Sequence, residues 1–199
     1  MSAPTLIGLA GSPRVGGNSD RLLDAFLDAA AAAGVATERI AARDMTFAFC
    51  DGCGACASTG ECVHADDASE SIRRLETAAA LVIATPVYFA GVPAVLKALI
   101  DRMQPCWART YRLGVPRAPK RPGGYLLVGA GGDPFGTHGA EATLSSALQV
   151  CGFAVEVRER FIGLDTPGDV DRFPEMLARA RTVGEAFAAR LLAATGKDA

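Results

Sequence analysis

The chain has 199 residues, half of them hydrophobic and 21% charged, with a formal net charge of −2 at pH 7. That balance excludes a disordered polypeptide and gives no basic footprint for a nucleic acid, while the length suits one domain with a large core. Met1-Ser2-Ala3-Pro4 carries no basic stretch ahead of the following apolar run, so it does not read as a signal peptide and the expectation is a cytoplasmic protein.

Thr5 to Ala10 is an apolar run that ends in Gly11-Ser12-Pro13-Arg14-Val15-Gly16-Gly17-Asn18-Ser19, after which Leu22, Leu23, Phe26, Leu27 and Ala30 fall on one helical face. The pattern predicts strand, loop, helix. Backbone N–H groups in such a loop converge on an anion. Ser12, Asn18 and Ser19 add side-chain donors, Arg14 adds charge, and the helix beginning near Ser19 points its dipole at the same spot. Phosphate suits this arrangement; a plain strand-to-helix turn would use the glycines for the backbone alone. Gly17-Asn18 stand where a nucleoside triphosphate loop needs Lys followed by Ser or Thr, and Gly8 and Gly11 lack the dinucleotide spacing, so those two readings fail.

Gly34 stops the first helix, and Val35 to Ala42 reads as a second strand. Residues 43–66 form a long connection without periodicity that holds four cysteines. Ala68 to Ala78 reads as helix and Ala79 to Thr85 as a buried third strand. The uncharged stretch Thr77 to Leu96 approaches the length of a membrane span, but Pro86, Gly91 and Pro93 break it. Helix resumes near Val92, with Val95, Leu96, Leu99, Ile100 and Met103 on one face, and a proline-rich connection runs from Pro105 to Pro122. Tyr125 to Val128 is a fourth strand, followed by a flexible loop from Gly129 to Gly136. Helix from about Gly139 to Val150, strand from Phe153 to Ile162 and a last helix from about Pro174 to Ala194 complete the alternation. Five strands, each followed by a helix, predict an α/β domain spanning 1–199, with a parallel sheet covered on both faces and a cysteine-rich insertion at about 43–66.

Ligands of such sheets bind at the carboxyl ends of the strands, where three loops meet: the phosphate loop, Thr85 to Gly91, and Gly129 to Gly136. Tyr88 and Phe89 can pack on an aromatic ring, and the glycines let a flat ring lie against backbone. Phosphate at one end and a flat heteroaromatic ring at the other describe flavin mononucleotide, FMN. The competing reading makes Tyr88 and Phe89 core aromatics and the glycines simple turns.

Cys50-x2-Cys53-x2-Cys56-x5-Cys62 is the most specific local pattern in the chain. Three cysteines at two-residue intervals wrap three corners of an iron–sulfur cube and the fourth closes it, which gives a 4Fe–4S cluster; structural zinc or free thiols are the alternatives. Cys106 and Cys151 lack partners at ligand spacing and read as buried structural residues. Asp67-x-x-Glu70 reads as a helix cap in preference to a cation site on Asp66 and Asp67. His64 and His138 have no acid or nucleophile at motif spacing, and Trp107, Arg109 and Arg112 read as an interface patch.

Gly11-Ser12-Pro13-Arg14-x-x-Gly17-Asn18-Ser19, Thr85-Pro86-Val87-Tyr88-Phe89 and Lys97-Ala98-Leu99-Ile100-Asp101-Arg102 resemble the NAD(P)H-dependent FMN reductase family of the flavodoxin-like fold, over nearly the whole chain. The resemblance implies a three-layer sandwich with sheet order 2-1-3-4-5. It puts the FMN phosphate on Ser12, Arg14, Gly17, Asn18 and Ser19, and the ring on Pro86, Val87, Tyr88, Phe89, Gly131, Gly132 and Asp133. It also implies NADH or NADPH as donor and a homodimer or homotetramer. The compact cysteine run resembles the iron–sulfur flavoprotein branch, which implies a cluster on Cys50, Cys53, Cys56 and Cys62. A small-molecule acceptor or a ferredoxin-like protein would then be the electron partner. The expected function is an FMN-dependent oxidoreductase; a non-catalytic electron carrier, a cluster-free quinone or flavin reductase, and a zinc-stabilised binding module are the rivals.

Overall fold

A computed structural model describes residues 5–195; Met1 to Pro4, where the absence of a signal peptide was read, lie outside the described residues. The strands are β1 (Thr5–Ala10), β2 (Ala36–Ala41), β3 (Ala80–Pro86), β4 (Arg121–Gly129) and β5 (Phe153–Ile162). The helices are α1 (Asn18–Ala32), α2 (Cys56–Thr59), α3 (Asp67–Thr77), α4 (Ala94–Asp101), α5 (Gln104–Tyr111), α6 (His138–Val150) and α7 (Pro174–Thr195). All pairings are parallel, in the order β2-β1-β3-β4-β5, which is the flavodoxin-like arrangement.

The two faces are covered separately, as apolar runs such as Leu81-Val82-Ile83-Ala84 require of strands buried on both sides. On one face α1 and α7 pack Leu22, Leu23 and Phe26 against Phe187 and Leu191. There a Cβ on Gly184 would stand 2.3 Å from the Phe26 carbonyl oxygen, so this helix crossing requires glycine. On the other face α3, α4, α5 and α6 supply Ile72, Leu75, Leu96, Leu99, Cys106, Leu144 and Leu148. Among the described residues no helix is long and apolar enough to cross a membrane.

Three expectations need correction. The segment after Pro105 is helical, not a bare connection: α5 starts at Gln104 with the proline in its first turn. The proline cannot continue α4, whose hydrogen-bond ladder would need its missing N–H, so the helix breaks and Met103 becomes the α5 N-cap. The fourth strand begins at Arg121, four residues earlier than Tyr125. Pro122-Gly123-Gly124 looks like a turn locally, but β5 presses so close that a Cβ on Gly124 would lie 2.4 Å from Val157 Cβ, and the register shifts there. Finally, the cap of α3 is Asp66, which accepts from Ser69 N at 3.2 Å; Asp67 instead accepts from Thr46 N at 2.7 Å. The connection at 43–66 is also less irregular than its sequence, since α2 forms a helical turn within it.

Candidate functional site

The loop after β1 is braced from within and from its neighbour. Ser12, Asn18 and Ser19 are buried, whereas Arg14 is exposed. Ser12 Oγ accepts from Arg14 N at 3.0 Å, which leaves its O–H free to donate. Asn18 is largely spent on the fold: its Nδ2 donates to the Thr166 carbonyl at 2.9 Å and its Oδ1 accepts from Val170 N at 3.2 Å. Gly17 is the N-cap of α1.

Sequence reasoning missed Asp20, Arg39 and Arg43. Asp20 is buried and accepts from Gly16 N at 2.9 Å. Arg43 reaches the same carboxylate at 2.9 and 3.2 Å, Arg39 at 3.0 Å, and Arg43 Nη1 also donates to the Ser12 carbonyl at 3.1 Å. The cations neutralise a carboxylate in the first turn of α1 and tie the loop to the end of β2. No short motif spans that distance, so only the fold reveals it.

A cavity of about 460 Å³ opens between the loops after β3 and β4. Val87, Phe89, Gly131, Gly132 and Asp133 line it, which brings together five of the seven residues expected around a flat ring; Pro86 and Tyr88 are not among its walls. Tyr88 and Gly91 exchange two hydrogen bonds of 2.9 Å, closing a turn that holds Phe89 and Ala90 at φ of 49° and 59°. A non-glycine residue in that left-handed region is strained, and Phe89 is fully exposed. The aromatic is therefore presented to solvent, which rules out the core reading. Arg160, which sequence reasoning did not name, also lines the cavity. It contacts Glu141 at 2.7 and 2.8 Å, and Glu141 in turn accepts from Thr137 and from the buried Tyr125 at 3.3 Å. The guanidinium holds the Glu141 carboxyl below the usual carboxylate range.

All four loop thiols, of Cys50, Cys53, Cys56 and Cys62, line a second cavity of about 380 Å³, with Trp107 of α5 and its C-cap Arg112 also in its wall. Cys50 and Cys53 are exposed, Cys56 and Cys62 half-buried, and burial pushes the Cys56 thiol up. The loop hangs on two arginines. Arg102, fully buried, donates to the Ala48 carbonyl at 2.6 Å and to both oxygens of Asp66 at 2.7 and 2.9 Å. That pairing pulls the Asp66 carboxyl down to about 2. Arg109 pairs with Glu76 and donates to the Gly60 carbonyl at 2.7 Å, so it braces the loop; it is not part of a free patch. Arg112 stacks over Trp107 at 5.3 Å. His64 Nε2 lies 3.8 Å from Asp51, and His138 Nδ1 donates to the Phe135 carbonyl at 2.9 Å.

Among the described residues no three Cys, His, Asp or Glu side chains stand at metal-holding separation. The donor set nevertheless fits an iron–sulfur cluster in kind: four soft thiols share one cavity, on a loop whose Gly52 and Gly54 leave open space around them. Cys106 and Cys151 are buried as expected, within the apolar core on the α3–α6 face.

The sequence profile of the NADPH-dependent FMN reductase family matches residues 4–166. An iron–sulfur flavoprotein of Archaeoglobus fulgidus is 38% identical over 125 residues, 63% of this chain and 54% of that protein. One from Methanocaldococcus jannaschii is also 38% identical over 125 residues, 63% of this chain and 62% of its own length. The chain thus spans little more than half the length of these curated relatives. Among solved structures, a flavone reductase superposes with a TM-score of 0.70 at 18% identity over 94% of this chain and 62% of that one. An NAD(P)H:quinone oxidoreductase from Methanothermobacter marburgensis gives 0.65 at 20% identity over 92% and 98%. At such identities the superpositions establish the fold alone.

Proposed function

Because this chain belongs to the NADPH-dependent FMN reductase family, we propose that it is an FMN-dependent oxidoreductase that also holds a 4Fe–4S cluster. One observation carries the reading: four thiols gather on one cavity in a chain whose sheet edge bears both a phosphate-type loop and a ring-sized cavity. The relatives' description as iron–sulfur flavoproteins supports it.

When bound, FMN supplies two-electron and one-electron chemistry and a cluster supplies one-electron chemistry, so together they join a two-electron donor to a one-electron partner. The chain's own part is binding and orientation. Ser12 Oγ–H, Ser19 and the main-chain N–H groups of Val15 and Gly17 bind phosphate, those of Arg14 and Gly16 being committed to Ser12 and Asp20, with Arg14 adding charge from the surface and Asn18 one remaining amide hydrogen. Asp20 and Arg43 keep that loop in one shape before the ligand arrives. Val87, Gly131, Gly132 and Asp133 line the ring's place, Pro86 ends β3 beside it, Tyr88 closes the turn with Gly91, and Phe89 offers an aromatic face. Cys50, Cys53, Cys56 and Cys62 would hold the cluster, in a loop fixed at its base by Arg102. NADPH or NADH is the donor in this reading. The acceptor is a small molecule such as a quinone, or a ferredoxin-like protein exchanges electrons instead. The protein works as a homodimer or homotetramer in the cytoplasm, without nucleic acid or membrane.

Iron, acid-labile sulfide, zinc and FMN per chain, in protein purified without oxygen, test this directly. About four iron and four sulfide with one FMN are expected. Zinc in the cysteine loop with no flavin uptake would overturn the reading in favour of a binding module. Negligible steady-state turnover with NADPH and a quinone, in flavin-loaded protein, would leave an electron carrier.

A further inference from the structure

We propose that the end of α5 and the segment after it, residues 107–120, form the docking face for a carboxylate-rich protein that exchanges single electrons at the thiol cavity. The proposal rests on the reading that Cys50, Cys53, Cys56 and Cys62 hold a cluster; it adds where the protein partner sits and what surface it must present.

The chain has a net charge of −2, yet from Arg102 to Gly132 it contains no Asp or Glu, only the cations Arg102, Arg109, Arg112, Arg117, Lys120 and Arg121. The fold consumes three of them: Arg102 pairs with Asp66, Arg109 with Glu76, and Arg121 donates to the carbonyls of Glu76, Ala78 and Cys151. Arg112, Arg117 and Lys120 are exposed, and among the described residues none of the three forms an ion pair.

Aromatic rings order two of these cations. Arg112 lies over the Trp107 ring at 5.3 Å, the Trp107 and Tyr111 rings are 5.6 Å apart, and Arg117 lies over Tyr111 at 4.8 Å. Guanidinium, indole, phenol and guanidinium thus make one row. It starts in the wall of the thiol cavity, where Trp107 and Arg112 stand with the four cysteines, and runs out to solvent. The backbone beneath is fixed, because Leu113 N donates to the Ala108 carbonyl at 3.0 Å and Val115 N to the Arg109 carbonyl at 2.9 Å. Tyr111, Leu113 and Val115 are exposed beside the cations, which gives the aromatic, apolar and arginine-rich make-up of a protein interface. Stacking holds the arginines in place before a partner arrives, so docking loses little side-chain entropy.

Charge selects the occupant. A carboxylate-rich protein is repelled by the net negative chain as a whole and attracted at this face, which steers it in with its redox centre toward the four thiols. A second copy set here about a two-fold axis would bring the same cations together. Of the carboxylates in the cavity wall, Asp101 pairs with Lys97 at 2.7 Å and Asp51 lies 3.8 Å from His64, so the three unpaired cations outweigh them. The exchange itself is balanced by contact alone: one electron leaves the partner's centre and arrives at the group held by the cysteines, and no atom or proton moves.

The test uses the full chain purified without oxygen and a small carboxylate-rich ferredoxin as probe, with binding measured by calorimetry and iron and FMN counted on the same samples. Affinity is expected to fall about tenfold or more from about 0.01 M to about 0.1 M salt, as the screening length drops from about 30 Å to about 10 Å. Arg117→Glu with Lys120→Glu, neither of which lines the thiol cavity, should weaken low-salt binding about tenfold or more while iron and FMN stay at the parent's level. Equal affinity in parent and variant would overturn the proposal. So would a variant that binds the probe normally but loses self-association on sedimentation, since the face would then be a subunit interface. Salt-dependent binding that the variant loses, in a parent without iron, would count for the docking face and against the cluster reading.

Discussion

The phosphate loop and the cysteine loop are both irregular and both braced by arginine, yet they are ordered in opposite ways. The first buries its own residues: Ser12, Asn18, Ser19 and Asp20 are inside, and the bracing cations come from the adjoining strand end. The second leaves Cys50 and Cys53 exposed and Cys56 and Cys62 only half-buried, and is pinned from outside, by Arg102 and Arg109 at separations of 36 and 49 residues. A loop that binds a compact anion can be its own scaffold. One that must wrap a bulky inorganic group leaves its interior free, so its order has to be supplied from elsewhere.

The largest effect should come from removing that external brace. Arg102→Met leaves the Ala48 carbonyl without its side-chain donor and the Asp66 carboxylate without its cation, and should lower unfolding free energy by about 3 kcal/mol, as for one partner of a buried ion pair. Urea unfolding measures it, and iron content should fall with it. A loss below about 1 kcal/mol would mean that the cysteine loop does not depend on Arg102 for its order.

The same pair sets the acid limb. Asp66 titrates near 2 in the folded chain against an ordinary 3.8, so its contribution is complete above about pH 4 and disappears as pH falls through about 2. That contribution is worth about 2 kcal/mol at neutral pH. Asp66→Asn should flatten the wild-type fall in stability between pH 4 and 2; parallel curves for the two proteins would remove the pair as its source.

The contrast also explains what could be read from the sequence. Strand order followed from the resemblance, and most elements from apolar period, because parallel strands and amphipathic helices each write their burial into local spacing. Phe153 to Ile162 was bounded correctly on that basis. Pro122-Gly123-Gly124 misled because a requirement imposed by β5 looked like a turn, and α5 was hidden because its first-turn proline looked like a break. At the sites, reactive residue types are visible as motifs, so the four loop cysteines and the Ser12 to Ser19 loop stood out. Asp20, Arg43, Arg102, Arg109 and Arg160 act across the fold at no fixed spacing.

On the self-scaffolded side, Ser12→Ala is the cleaner probe, since Asn18 is committed to Thr166 and Val170 and its loss would disturb the fold as well. Removing one hydroxyl donor should weaken FMN binding about tenfold, or about 1.4 kcal/mol, with stability nearly unchanged. Fluorescence quenching on titrating FMN into flavin-free protein measures it. Unchanged affinity would take Ser12 out of the phosphate site.

The smallest expected change in stability tests whether the ring cavity is built like either loop. Phe89 sits at a φ of 49° with its side chain fully exposed, so the backbone is strained and no burial compensates it. Glycine at this position relieves roughly 1 kcal/mol of left-handed strain but adds about as much entropy to the unfolded chain, so Phe89→Gly should move stability by less than about 0.5 kcal/mol. FMN affinity should still fall about fivefold, because an aromatic contact is worth about 1 kcal/mol. That pairing of a silent stability change with a binding loss would mean that the strain is kept for the ligand. A clear gain in stability with affinity intact would mean that Phe89 serves another surface, and the cavity would then resemble the cysteine loop, with its order supplied from outside by Glu141 and Arg160.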